Sequence, residues 1–163
     1  MPTELPNLIE KLKMDHQAVR NLFDRFKQSD DRARQGIAEQ ALIELEIHSN
    51  LEEDLIYPAI RQAVGDDNVI NEALEEHHVV SMLARELRAM QANDERYAAK
   101  FKVLSDIVLR HIQREESHTF PQAEKAHVDW EHLGKEATAL RDELRGRIQA
   151  CGPGATRQIK PPV

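Results

Sequence analysis

Apolar residues recur every three to four positions along nearly the whole chain, and no stretch shows the strict alternation of a half-buried strand. This spacing predicts four long helices over about 5–28, 34–64, 69–90 and 94–125, separated by polar or glycine-containing segments. A fifth stretch predicts another helix over about 129–150, with Asp129 as the cap of its first turn. The pattern indicates an all-α protein.

Short connections between long helices favour antiparallel neighbours. We therefore expect an up-down-up-down four-helix bundle with an additional C-terminal helix. A chain of 163 residues suits one core, so 1–150 should form a single helical domain with its motifs within about 8–125. The Gly- and Pro-containing end over 151–163 is expected to be a flexible tail.

Histidine interrupts the apolar face of all four predicted helices, at His16, His48, His77 and His111. A single histidine in such a position is more often a hydrogen-bonded core residue than a metal ligand. Four of them would cost several kcal/mol if they were buried without partners, because each loses its water. A metal centre would remove that cost.

One segment of the chain occurs twice, as HSNLEEDLIYPAI over 48–60 and HIQREESHTFPQA over 111–123. The copies share His, two successive Glu, an aromatic residue and Pro at equal offsets. Residues four apart lie on one helix face, so His48 and Glu52 point the same way, as do His111 and Glu115. With one histidine from each other helix, this arrangement predicts two metal ions that share both carboxylates.

Residues near these motifs have more than one interpretation. Glu53 and Glu116 are either acceptors for an imidazole N–H or exposed charges. Packing is the favoured role of Tyr57, although its hydroxyl could reach a pocket. His118 either lines an access route or is an additional ligand if the last bundle helix is irregular. The roles of His118 and of the tail stay open at this stage.

Four segments together resemble the hemerythrin-like, or HHE cation-binding, domains: MDHQAVRNLF, HSNLEEDLIYPAI, LEEHHVV and HIQREESHTFP. The resemblance implies a non-haem centre of two carboxylate-bridged iron ions. The ligands that it implies are His16, His48, Glu52, His77, His111 and Glu115. Nitrogen and oxygen donors without a thiolate suit iron, and they also admit manganese or zinc.

The chain departs from the oxygen-carrying members of that family at Ser81. Those members have a second histidine one turn after the ligand that corresponds to His77. We expect Ser81 to leave coordination positions open, which favours a reactive or sensing centre over an oxygen carrier. The resemblance then implies binding of, or reaction with, oxygen, peroxide or nitric oxide, as a binding module or a di-iron oxidoreductase. The alternative is an iron storage, delivery or metal-sensing module without catalysis.

Charge and composition limit the partners. The chain has 29 acidic and 22 basic residues, a formal charge of -7, and no basic run that could follow a phosphate backbone, so neither nucleic acid nor an anionic membrane is expected. Without an apolar span or a signal-peptide pattern, we expect a cytoplasmic protein. Its partners would be the small ligand and a protein reductant or signalling protein. Cys151 is the single cysteine, which excludes a disulfide within the chain.

Overall fold

The computed structural model describes residues 7–154, which form helices joined by short turns, with no strand in this range. The helices are α1 Leu8–Gln28, α2 Asp31–Leu51, α3 Tyr57–Val64, α4 Asp67–Arg88, α5 Tyr97–Arg114, α6 Phe120–Lys125 and α7 Trp130–Cys151. Two π-helical segments, Glu52–Ile56 and Glu115–Thr119, join α2 to α3 and α5 to α6 without a break. The chain thus forms four long rods, which are α1, α2 with α3, α4, and α5 with α6, and α7 is a further helix. This confirms the all-α bundle with an additional helix.

Side-chain caps determine where several helices begin. The carboxylate of Asp30 accepts a hydrogen bond of 3.0 Å from the amide of Ala33, and α2 starts directly after this cap. The predicted start of this helix at about residue 34 is therefore late, because α2 begins at Asp31. Asp129 accepts from the amide of His132 at 3.1 Å, which confirms the predicted cap of α7.

Two apolar clusters fill the bundle. The first contains Tyr57 and Phe120 and is covered by α7, which contributes Leu133, Ala137, Leu144 and Ile148. The second contains Val19 and Val108 and continues to the opposite end of the bundle. On α1, for example, Leu12 belongs to the first cluster, Val19 to the second, and His16 lies between them. The polar layer therefore crosses the middle of the core.

Each π segment precedes a proline. The amide of Tyr57 donates to the carbonyl of Glu52, five residues back, and Pro58 follows. A proline ring in an α-helix clashes with the carbonyl four residues earlier, so the wider turn accommodates it. The second segment repeats this arrangement between Glu115 and Pro121. The prediction of uninterrupted α-helices is wrong over these two segments.

Helix α7 is the last helix of the described residues. Helix α7 ends at Cys151, and Gly152, at a φ of 84°, follows it. The predicted tail over 155–163 lies outside the described residues, as do residues 1–6. Within residues 7–154, no helix is both long enough and apolar enough to cross a membrane.

Candidate metal centre

The six residues that the resemblance implies as ligands come together in the polar layer. All are at most 9% exposed. They form two overlapping groups whose nitrogen and oxygen atoms lie within 4.8 Å of one another. The first group is His16, His48, Glu52 and Glu115, and the second is Glu52, His77 and His111.

The imidazoles are arranged in two pairs, each with the Nε2 atoms turned inward. Nε2 of His16 lies 3.1 Å from Nε2 of His48. Nε2 of His77 lies 3.2 Å from Nε2 of His111. Each pair joins two different rods, so the four rods meet at one place.

Two carboxylates span both pairs. Glu52 places Oε1 2.8 Å from Nε2 of His48 and Oε2 3.2 Å from Nε2 of His77. Glu115 lies in the same way, 3.3 Å from one imidazole of each pair. Each carboxylate thus directs one oxygen to each imidazole pair, which is the geometry expected of a group that bridges two cations.

Two of these oxygens make no hydrogen bond of acceptable geometry. Oε1 of Glu52 and Oε2 of Glu115, which both face the pair formed by His16 and His48, are buried and have no hydrogen bond of acceptable geometry among the described residues. A buried carboxylate oxygen without a partner is costly. Because the surrounding atoms are imidazole nitrogens and carboxylate oxygens, the residues present fit a cation at this point.

A ring of four further carboxylates surrounds the imidazoles. Each carboxylate accepts a hydrogen bond from the Nδ1 atom of a histidine on the next rod. The pairs are Asp15 with His48 at 3.0 Å, Glu53 with His77 at 2.8 Å, Glu76 with His111 at 2.7 Å and Glu116 with His16 at 3.0 Å. We call this set the carboxylate ring. It fixes Nδ1 as the donor and leaves Nε2 for the interior.

The carboxylate ring decides between the two interpretations of Glu53 and Glu116, since both accept from an imidazole. The roles of Asp15 and Glu76 were not predicted from the sequence. Each directly precedes a histidine of the apolar face, as in DH and EH. A residue one position earlier lies about 100° around the helix, so it looks like a surface charge unless the neighbouring rod is known.

The two bridging carboxylates and the carboxylate ring together change the protonation of the imidazoles. Burial by itself would lower the pKa of His48, but the carboxylates of Glu52 and Asp15 outweigh it and raise that pKa to about 10. Burial likewise opposes ionisation of Glu52, yet the neighbouring imidazoles, His48 first, hold the pKa of its carboxyl well below the usual range. In the metal-free protein, protons supply the positive charge that a cation would supply.

Tyr57 lies at the centre of the second group, so packing is only part of its role. Its hydroxyl donates to Oε1 of Glu115 at 2.6 Å and lies 3.0 Å from Oε2 of Glu52, the alternative acceptor for its single hydrogen. It also lies 3.2 Å from Nε2 of His111 and 3.3 Å from Nε2 of His77. Burial and the two carboxylates raise its pKa well above 10.0, so the phenol is a hydrogen-bond donor in the metal-free protein.

Phe120 occupies the position of Tyr57 in the second copy of the repeated segment. Its ring stacks on the imidazole of His16, with 5.8 Å between centroids and 7° between planes. The two copies therefore present a hydroxyl on one side of the centre and a hydrocarbon ring on the other.

A small cavity borders all four imidazoles on the side of the second apolar cluster. Its volume is about 30 Å³. Its aliphatic walls are Val19, Leu45, Val80, Val108 and Ile112.

Ser81 does not lie beside the centre, because its side chain is exposed and Val80 lines the cavity instead. That coordination positions stay open remains a prediction. The buried positions of α4 are Ile70, Ala73, His77, Ala84 and Leu87, at steps of three, four, seven and three. Half-buried Val80 divides the step of seven into three and four, so the inward position after residue 77 is 80 and not 81. His118, whose role was open, is exposed and belongs to neither group of candidate ligands.

Residues 7–123 match the family described as the hemerythrin HHE cation binding domain. The chain belongs to this family. A crystal structure of a hemerythrin HHE cation binding domain-containing protein from Mycobacterium kansasii superimposes with a TM-score of 0.78 at 24% identity. The alignment covers 93% of this chain and 97% of that one, and it supports the hemerythrin fold.

Curated relatives share the domain at moderate identity. An uncharacterised protein of Mycobacterium tuberculosis is 29% identical over 145 residues, which is 86% of this chain and 88% of that protein. A protein named DNA nickase from Nostoc is 27% identical over 153 residues, covering 91% of this chain. This hemerythrin-family chain spans only 43% of the Nostoc protein. The expectation that it binds no nucleic acid stays a prediction.

Proposed function

We propose that this hemerythrin-family chain holds two iron ions and that the pair binds or reacts with oxygen, peroxide or nitric oxide. The observation that carries the proposal is the placement of one oxygen of Glu52 and one of Glu115 beside each imidazole pair. His16 and His48 would hold one ion. His77 and His111 would hold the other ion, with the Tyr57 oxygen as an additional metal ligand.

The surroundings of the centre support a small ligand. A cavity of about 30 Å³ has room for roughly one water-sized molecule. Its aliphatic walls favour an apolar diatomic molecule over a charged substrate. Two iron ions, when bound, supply redox chemistry that no side chain offers. The protein contributes the oriented imidazoles, the bridging carboxylates and the exclusion of bulk water.

Metal content tests the first half of the proposal. Protein reconstituted with Fe²⁺ without oxygen should retain about two ions per chain, since the donors form two groups. Glu52→Gln should lose most of this metal, because an amide lacks the charge and the two equivalent oxygens that bridging requires. Asp54→Asn is the matched control, as Asp54 lies in the same π segment and is exposed. Wild-type protein that folds but takes up no metal would refute the centre.

The cavity wall tests the second half. Val80→Phe should fill the cavity and lower the affinity of the reduced, metal-loaded protein for nitric oxide by about tenfold, as expected of overpacking. Ser81→Phe should change it less than about twofold, because that side chain is exposed. Anaerobic stopped-flow titration measures both. If no ligand changes the spectrum and a chelator readily removes the metal, storage or delivery replaces the reactive function.

A further inference from the structure

Helix α7 reaches the candidate centre through a chain of three side chains. The guanidinium of Arg141 donates to both oxygens of Asp15, from Nη1 at 3.1 Å and from Nη2 at 2.7 Å. The same Asp15 carboxylate accepts from Nδ1 of His48 at 3.0 Å. The contact therefore runs from α7 through α1 to an imidazole on α2.

The bidentate pair holds the Asp15 carboxylate in the orientation that His48 needs. Held in this way, the carboxylate accepts the Nδ1 hydrogen of His48 and directs Nε2 toward the interior. Arginine suits this task because its planar fork matches a carboxylate.

Other members of the carboxylate ring receive their arginines from the four rods. Arg20 on α1 donates to Glu116, with 2.9 Å for the shorter contact. Arg114 on α5 lies 3.1 Å from Glu76. Asp15 differs because its arginine comes from α7, outside the four-rod bundle.

Given the proposed metal centre, we propose that Arg141 is a positioning residue through which α7 controls metal affinity at the position held by His16 and His48. Loss of Arg141 frees the Asp15 carboxylate to rotate or to bind water. His48 then loses its fixed orientation, whereas His77, which donates to Glu53, keeps its own.

The chain contains a matched control one turn along α7. Arg145 makes a bidentate pair with Glu44 on α2, with both contacts at 3.1 Å. Like Arg141, it ties α7 to a neighbouring rod. Within residues 7–154, Glu44 makes no hydrogen bond to an imidazole, so this pair fastens α7 without touching the centre.

The experiment compares Arg141→Gln with Arg145→Gln in the full chain. Chelator competition under anaerobic conditions gives the two stepwise Fe²⁺ affinities, and imidazole N–H resonances are recorded by NMR on the Zn²⁺-loaded protein. Arg141→Gln should weaken one Fe²⁺ affinity by about tenfold, the loss usual for a partner of a metal-bound histidine. It should also shift the Nδ1–H resonance of His48 and leave that of His77 in place. Arg145→Gln should change neither.

Further variants separate positioning from a general loss of stability. Asp15→Asn should weaken the same Fe²⁺ affinity, and adding Arg141→Gln to it should cause no further loss, because the two act through one contact. Arg141→Lys keeps the charge without the fork, so it should give an intermediate affinity; it also serves if Arg141→Gln does not fold.

The outcomes distinguish this inference from the proposed function. Wild-type protein that takes up no Fe²⁺ overturns the metal centre itself. If the wild type binds two ions, and Arg141→Gln or Arg141→Lys matches Arg145→Gln in both affinities, only the role of Arg141 is overturned.

Discussion

Each histidine of the candidate centre uses its two ring nitrogens differently. Nδ1 donates to a carboxylate of the next rod, and Nε2 points toward the middle of the bundle. A neutral imidazole has one donor and one acceptor nitrogen, so fixing the first also fixes the second. When the imidazoles are neutral, the carboxylate ring thereby directs four Nε2 lone pairs toward one small volume.

The Tyr57 hydroxyl should stabilise the metal-free protein. Tyr57→Phe removes the hydroxyl that donates to buried Glu115 beside Glu52 and should lower the free energy of unfolding by roughly 1–3 kcal/mol. Tyr97→Phe is the control, because Tyr97 is equally buried but lies in the second apolar cluster, away from the carboxylates. Urea unfolding of the metal-free variants measures the difference, and equal losses would show that the Tyr57 hydroxyl adds nothing.

At the residue scale, the repeated segment and the histidines on apolar faces were enough to predict six residues that the structure brings together. The identity of each imidazole's partner could not be predicted. Asp15 reaches His48 on another rod, and Glu76 reaches His111 in the same way. Such pairs depend on how the rods pack, which helical periodicity does not encode.

The π segments are what bring Tyr57 to the centre. Tyr57 follows Glu52 by five residues, which in a regular α-helix would place it about 140° away around the axis. The wider turn absorbs one residue, so Tyr57 lies beside Glu52 as a residue four positions later would. Its hydroxyl lies 3.0 Å from Oε2 of Glu52 as a result.

Shortening the second π segment should destabilise the protein only while Pro121 is present. Deletion of Ser117, which is exposed, would close the segment to an α-helix. Pro121 would then clash with a carbonyl one turn earlier, at a cost of about 3 kcal/mol. Adding Pro121→Ala should restore most of the stability, as measured by urea unfolding.

A deletion at Gln113 provides the contrast, because this residue is also exposed but lies between His111 and Glu115. Its removal breaks their four-residue spacing, so Pro121→Ala should not help. If Pro121→Ala rescues neither deletion, the proline is not the reason for the wide turn.

At the element scale, the sequence predicted the four rods, the fifth helix and the Asp129 cap. The two π segments were not predicted, because a single wide turn leaves the spacing of apolar residues before and after it nearly unchanged. Pro58 and Pro121, each six residues after a candidate ligand in a strongly helical pattern, were the available signal.

In the whole molecule, the polar layer lies between two apolar clusters and joins the four rods. Folding must therefore bury the imidazoles and carboxylates of this layer. Their charges are stabilised only by contacts with one another. Metal ions that bind only the folded chain would add to its stability. Without metal, the balance between imidazolium and carboxylate should make stability depend on pH.

The sign of that dependence follows from His48 and Glu52. The pKa of His48 is raised from 6.5 to about 10, so its contribution is complete below pH 6.5 and is lost as the pH rises toward 10. The pKa of Glu52 is lowered from 4.5, so its contribution is present above pH 4.5 and is lost in acid. Metal-free protein should be most stable between these limits.

Urea midpoints of metal-free and iron-loaded protein across the alkaline range test this prediction. The midpoint of the metal-free protein should fall as the pH rises above 6.5, and the loaded protein should change less, because the ions replace the protons. His48→Gln should reduce the slope in the metal-free protein. A metal-free midpoint that rises with pH would contradict the charge balance described above.

The stacking of Phe120 on His16 has a consequence that concerns the symmetry of the site. Asp15 and His16 correspond to Glu76 and His77, and the first copy of the repeated segment corresponds to the second. An approximate two-fold axis therefore passes between the bridging carboxylates. Rotation about this axis carries the Tyr57 hydroxyl to Phe120.

A hydroxyl at position 120 would then face Oε1 of Glu52 and Oε2 of Glu115, the two oxygens that make no hydrogen bond of acceptable geometry. Phe120→Tyr should therefore raise the stability of the metal-free chain by about 1 kcal/mol, whereas Phe101→Tyr, in an apolar part of the core, should lower it. Urea unfolding of both variants measures the change in stability. Equal losses of stability in the two variants would mean that the two halves of the site are not interchangeable. If the gain is found, the natural phenylalanine leaves one half of a two-fold site dependent on a cation for its charge balance.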